Sequence, residues 1–194
     1  MKNIAVLASG GGSDLQAIID ACKSGTLDAR VRAVISNNGD SRALRRAESE
    51  GIAAFHLSSA TVGNQDLLDG RILEVLHENE IHVVFLAGYL KKIGPAVLAA
   101  YENRIFNIHP SLLPKRGGRG MYGINVHKSV LEAGDTETGV TIHRVSGEYD
   151  SGGIVAQTKV TVLANDTPET LAARVLEREH VFIVETLSGI LATL

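Results

Sequence analysis

The sequence predicts an α/β fold: a Rossmann-like, doubly wound, mostly parallel sheet flanked by helices. Three observations lead there. Short apolar runs alternate with helix-period segments over the first 110 residues, the pattern of parallel strands joined by crossover helices. A glycine-rich turn, Ser9-Gly10-Gly11-Gly12-Ser13, leads from the first apolar run into the first amphipathic segment. Two late runs rich in β-branched residues are expected to extend the sheet, with an antiparallel edge as one arrangement.

The elements follow in order. Ile4–Ala8 reads as a buried strand and Asp14–Ser24 as an amphipathic helix. Val31–Ser36 is a second strand, followed by a charged helix over Arg42–Glu50. Ala53–Leu57 is a short strand and Leu67–Glu78 a helix. His82–Ala87 is the clearest buried strand, being apolar after its first residue. Pro95–Tyr101 is a short helix with proline in its first turn, where a missing N–H does no harm. Arg104–His109 is a strand, and Val126–Ala133 a helix stopped by Gly134. Val140–Val145 and Ile154–Val162 are the two late strands. Pro168–Leu191 is a long helix with Thr167 as its N-cap. The one long irregular stretch, Pro110–Ile124, holds four glycines, and a loop that long inside a compact domain is usually functional.

Composition narrows the function classes. Hydrophobic residues make up 44% of the 194, enough for a core, which excludes disorder. Acids outnumber Lys and Arg by 22 to 19, and no basic run exceeds two residues, so nucleic acid is not expected as the partner. No stretch of about 18 apolar residues exists to span a membrane as a helix. The single cysteine, Cys22, rules out a disulfide framework and a multi-thiolate zinc site, and no metal is expected. The chain enters a strand at once without the apolar region of a signal peptide, so a cytoplasmic location is expected. No linker divides it, and residues 1–194 are read as one domain.

Three segments carry candidate chemistry. Glycines allow close backbone approach, and a helix N-terminus offers unpaired N–H groups, so residues 10–14 suit a phosphate. A tight structural turn fits them as well. The dinucleotide fingerprint does not, because Leu15 stands where its third glycine would be. In Asn107-Ile108-His109-Pro110, residues two apart share a face, so Asn107 and His109 project together at the carboxyl end of a strand. An amide beside an imidazole can stabilise an oxyanion, although the pair is common by chance. In Glu148-Tyr149-Asp150-Ser151-Gly152-Gly153, the aspartate is either a turn residue or a partner for an imidazole.

Together these segments resemble the folate-dependent formyltransferases. The likeness is carried by Ser-Gly-x-Gly-Ser-x-Leu-Gln at 9–16, Leu-Ala-Gly-Tyr at 86–89 and Asn-Ile-His-Pro-Ser-Leu-Leu-Pro at 107–114. Gly-Val-Thr-Ile-His at 139–143 and Tyr-Asp-x-Gly-Gly at 149–153 complete it. The resemblance implies formyl transfer from 10-formyltetrahydrofolate, as co-substrate, to the amine of glycinamide ribonucleotide (5-phosphoribosylglycinamide) in purine biosynthesis. It implies Asn107, His109 and Asp150 as the catalytic group, with a protonated His109 held charged by Asp150. It places the acceptor on Gly12, Ser13, Asp14 and Glu179. It places the folate along Leu90, Lys91, Lys92 and Ile93, with Asn107 and Ser146, Gly147, Glu148, Tyr149 and Asp150. A monomer or a homodimer is compatible with it.

The chain departs from the family pattern in three places. Asp14 stands where Asn is usual, Gln65 where Arg is frequent, and the glycine-rich loop 115–123 is longer, as a lid would be. Two other readings stay open at this point. A formyltetrahydrofolate hydrolase would use similar residues on water. A non-catalytic nucleotide-binding module would need only the glycine loop. His143 follows a family position near the active site, but as a lone strand histidine it reads equally as structural.

Overall fold

A computed structural model describes residues 1–194. The elements, in chain order, are β1 (Lys2–Leu7), α1 (Ser13–Lys23), β2 (Ala29–Ser36), α2 (Arg42–Ser49), β3 (Ala53–His56), α3 (Ser59–Val62) and α4 (Gln65–Glu78). They continue as β4 (Val83–Leu86), α5 (Pro95–Ala100), β5 (Ile105–His109), α6 (Ile124–Glu132), β6 (Glu137–Arg144), β7 (Ile154–Thr161) and α7 (Pro168–Ala192). One seven-stranded sheet has the order β3-β2-β1-β4-β5-β6-β7. The strands from β3 through β5 pair in parallel, and β6 and β7 add antiparallel. The doubly wound, mostly parallel fold expected from the sequence is the fold observed, with the antiparallel pair at one edge. No helix is long and apolar enough to cross a membrane.

The strand order fixes where a ligand can sit. After β1 the chain moves one way, to β2 and β3; it then returns to lay β4 on the other side of β1. The β1/β4 junction is therefore a topological switch point, and a crevice opens at the carboxyl ends of these strands. Ser9 ties the two sides of the crevice together. Its N–H donates to the Gly88 carbonyl at 3.0 Å, and its Oγ accepts from the Leu90 N–H at 2.8 Å.

The sheet is covered on both faces, so its central strands are apolar along most of their length; Ile4 to Leu7 and Val83 to Phe85 are fully buried. Helices α1, α2, α6 and α7 build the core on one face, and α4 and α5 on the other. Helix α7 shows how one stripe carries this. Leu171, Val175, Ile183 and Leu187 recur at four-residue spacing and are all buried. Glu179 stands on the same stripe, the one charged side chain there.

Local capping places the wall-forming loops. The buried Asp69 of α4 accepts from Ala96 N–H at 2.7 Å and Val97 N–H at 3.2 Å, closing the exposed end of α5. Gly94 precedes that helix because a Cβ there would lie 2.2 Å from the Asp69 carboxyl carbon. The segment 111–113 is pinned through Thr141, whose Oγ1 accepts from Leu113 N–H at 3.0 Å and donates to the Ser111 carbonyl at 2.6 Å.

The structure differs from the sequence reading in detail. Helix α3 was not foreseen; its four residues bury none of their side chains, so no apolar pattern marks it. Strand β6 starts at Glu137, three residues early, because pairing with β7 extends it through Thr138 and Gly139.

Candidate functional site

A cleft of about 550 Å³ opens at the carboxyl ends of the strands around the switch point. That size suits a small-molecule site. The loop after β4 gives one wall, through Leu90, Lys91, Lys92 and Ile93. The β6–β7 turn gives the opposite wall, through Ser146, Gly147, Glu148, Tyr149 and Asp150. Lys92 and Glu148 join the two walls by an ion pair at 2.9 Å. Asn107 and His109 rise from the end of β5 between them, and Asp14 and Glu179 line the same cleft. Gly12 and Ser13 do not line it; they sit behind Asp14 at the start of α1.

The Asp150 carboxylate is the centre of a polar cluster. Its Oδ1 lies 3.5 Å from Asn107 Nδ2, 3.5 Å from His143 Nε2 and 3.7 Å from His109 Nδ1. Its Oδ2 accepts from the Gly118 N–H at 2.9 Å. Burial alone would raise this carboxyl, but its contacts with His143, the Gly118 N–H and His109 outweigh it. The group is held below the usual carboxylate range.

His109 differs from the expectation of a protonated residue. Its side chain is 5% exposed. Burial is the largest influence and lowers its pKa; Asp150 and the Arg116 carbonyl raise it, without overcoming burial. Nε2 lies 2.7 Å from the Arg116 carbonyl oxygen. A carbonyl can only accept, so Nε2 carries the proton. The imidazole is neutral at rest, with Nδ1 unprotonated and facing Asp150.

His143, left open between two readings from the sequence, belongs to the cluster. The β5–β6 register sets it directly opposite Asn107, on the same face. Its Nδ1 donates to the Arg144 carbonyl at 2.8 Å, which leaves Nε2 to accept from Asn107 Nδ2 at 3.0 Å. The Asn107 amide is thereby oriented. The only signal was its place on a strand; the pairing that sets it opposite Asn107 is a matter of register, not of sequence spacing.

At the start of α1, next to Asp14, Gly12 is the N-cap, with φ of 71°. The N–H groups of Gly12, Ser13 and Asp14 have no acceptor within the chain. Gly12 is also pressed against α2: a Cβ there would lie 2.9 Å from Ala43 Cα. Gly10 and Gly11 face open space. Arg46 of α2 braces the loop, donating from Nε to the Gly11 carbonyl at 3.0 Å.

The loop 115–123 packs on this cluster. The Arg116 carbonyl and the Gly118 N–H take up His109 Nε2 and Asp150 Oδ2, and Arg116 is anchored to Asp135 at 2.8 Å. Gly118 to Gly123 line the cleft, a contribution the sequence left as a candidate lid. No group of three or more His, Cys, Asp or Glu side chains is arranged to hold a metal ion.

Comparison with known proteins gives one answer. Residues 2–187 match the family described as formyl transferase. The chain is 44% identical to the chloroplastic phosphoribosylglycinamide formyltransferase of Arabidopsis thaliana, over 97% of this chain and 65% of that protein. It thus spans just under two thirds of that relative. It is 42% identical to phosphoribosylglycinamide formyltransferase of Escherichia coli (strain K12), over 92% of this chain and 82% of that one. A solved structure of phosphoribosylglycinamide formyltransferase from Coxiella burnetii, in complex with CHES, superposes with a TM-score of 0.91. It shares 37% identity, over 99% of this chain and 88% of that one.

Proposed function

Because the chain belongs to the formyl transferase family, we propose that it transfers a formyl group from 10-formyltetrahydrofolate to the primary amine of glycinamide ribonucleotide, a step of purine biosynthesis. Residues 1–194 act as one formyltransferase unit. The observation that carries this reading is the Asp150 carboxylate set among Asn107, His109 and His143 in a cleft that Asp14, in the first turn of α1, also lines.

The roles follow from the geometry. The acceptor amine forms a bond to the formyl carbon, and negative charge develops on the formyl oxygen. The Asn107 amide, fixed by His143, donates to that oxygen. Neutral His109 receives at Nδ1 the proton that the amine gives up. The resulting imidazolium lies 3.7 Å from the ionised Asp150, which stabilises it. The carbon–nitrogen bond to the folate then breaks, and the same proton passes to the leaving nitrogen. Catalysis therefore begins from a neutral imidazole and makes the charged donor only when charge develops.

Binding completes the picture. The folate lies between residues 90–93 and 146–150, closed by the Lys92–Glu148 pair. The acceptor phosphate rests on the N–H groups of Gly12, Ser13 and Asp14, and Glu179 contacts the middle of that substrate. The test is tetrahydrofolate release with and without glycinamide ribonucleotide, alongside inhibition by inorganic phosphate. Release that depends on acceptor, with phosphate competing against acceptor and not folate, is expected. Equal release in both conditions would instead identify a hydrolase.

A further inference from the structure

The acceptor end of the cleft contains more acid than an anion site should tolerate. Asp14 and Glu179 both line it. Glu179 is 7% exposed and accepts no hydrogen bond from the chain. Asp14 Oδ1 is buried without a hydrogen-bond partner, and so is His180 Nε2, 3.6 Å away. That separation is too long for a hydrogen bond. The charged and titratable groups around Asp14 are few. Helix α7 presents Glu179 and His180, and α2 presents Arg46, which is already bound to the Gly11 carbonyl and to Gln16. With both acids ionised, a phosphate arriving at the α1 N–H groups would meet two carboxylates that accept no hydrogen bond from the chain, only one of them, Asp14, having a neighbouring imidazole at 3.6 Å. One bound proton turns the repulsion into a hydrogen bond.

We propose that Asp14 is a proton-carrying recognition residue: acceptor binding draws a proton from solvent onto the Asp14–Glu179–His180 cluster, and Asp14, as a carboxylic acid, donates to the anionic end of the acceptor. The inference rests on reading this cleft as the acceptor site. The proton is taken from buffer on binding and returned when product leaves, so the formyl transfer itself is unchanged in balance. Burial pushes the Asp14 carboxyl up to about 6, with His180 opposing. Burial, then the Asp14 charge, raises Glu179 well above its ordinary value. Both directions favour uptake of a proton by this cluster over a pair of solvated carboxylates.

The experiment is calorimetric titration of glycinamide ribonucleotide into the full chain at pH 7.5, in two buffers of different ionisation enthalpy. Wild type should take up most of one proton per acceptor bound, and Asp14→Asn markedly less. The ligand phosphate has its own second ionisation near pH 6, but this is common to both proteins. Between pH 6.5 and 8.5, acceptor affinity of the wild type should fall more steeply than that of Asp14→Asn, the difference approaching about tenfold per pH unit for one linked proton. Infrared difference spectra should show a protonated-carboxyl band on acceptor binding, absent in Asp14→Asn. Equal proton uptake in both proteins, or loss of uptake only in Glu179→Gln, would overturn the assignment to Asp14. If wild type neither binds nor formylates the acceptor, it is the proposed function that fails, not this step alone.

Discussion

Replacing Asp14 by Asn should stabilise the unliganded protein in alkaline solution and leave its stability unchanged in acid. Raising this carboxyl from 3.8 to about 6 corresponds to about 3 kcal/mol against burying the ionised form. The folded pKa is raised, so the contribution to stability is present below the unfolded value and is lost as pH rises through about 6. At pH 8 the wild type therefore carries a buried charge that folding disfavours. Two effects reduce the gain from Asn. An acid in the first turn of α1 favours the helix dipole by about 0.3–1 kcal/mol, and the Asn amide would be a polar group buried where the carboxyl Oδ1 finds no hydrogen-bond partner. Relief of Glu179, which the Asp14 charge also disfavours, acts the other way. The net expectation is about 1–2 kcal/mol in favour of Asp14→Asn at pH 8, or roughly 2–8 °C in Tm for a chain of this size. At pH 3, below the unfolded value of 3.8, the difference should shrink toward zero. Urea melts at both pH values measure it. An equal difference at the two pH values, or a wild type more stable at pH 8, would refute the claim that a buried charge is responsible.

Three further outcomes are expected. Gly11→Val places a side chain in open space at the α1 N–H groups, so acceptor affinity should fall with the folate affinity and Tm unchanged; Gly12→Val instead strikes Ala43 at a positive φ, and there loss of Tm should dominate. Calorimetry and melting curves separate the two. His109→Ala should lose about two to three orders of magnitude in kcat, and the wild-type kcat should rise with pH along an acid limb centred below 6.5, because burial lowers His109 and the base form is the active one; a limb centred above 7 would sink the neutral-imidazole scheme. Asp69→Ala removes two caps from α5 and should cost about 1–2 kcal/mol, read by denaturant melts, with KM for folate raised because the 90–93 wall leads into that helix.

The fold was legible where one segment carries its own periodic signal. The strands at Ile4–Ala8 and His82–Ala87 are apolar because both sheet faces are covered, and the terminal helix announces itself by Thr167 and Pro168. Helix α3 gave no such signal, having nothing to bury. Strand order was not legible either, since it depends on which edges pair and not on any one edge. The pairing that matters most here, Asn107 with His143, joins residues 36 apart. A motif reading finds both residues and cannot join them.

The site was legible to the extent that its chemistry sits on backbone motifs, and illegible where burial decides a charge. The protonated His109 implied by resemblance is opposed in the free protein by burial, with 5% of the side chain exposed; composition says nothing of that. Glu179 is the sharper case. The resemblance makes it a substrate contact, while a charged residue on a helix is by itself most often solvated. Yet Val175 and Ile183 lie four residues to either side, both buried, so Glu179 occupies a core position on α7. A carboxylate kept on an apolar stripe with no partner in the chain requires a partner from outside it or a proton. Asp14 reaches the same cleft from α1, across the α1–α7 packing, and faces the same requirement. Two such acids beside three free N–H groups make proton uptake, not a fixed charge, the means by which this end of the cleft receives an anion.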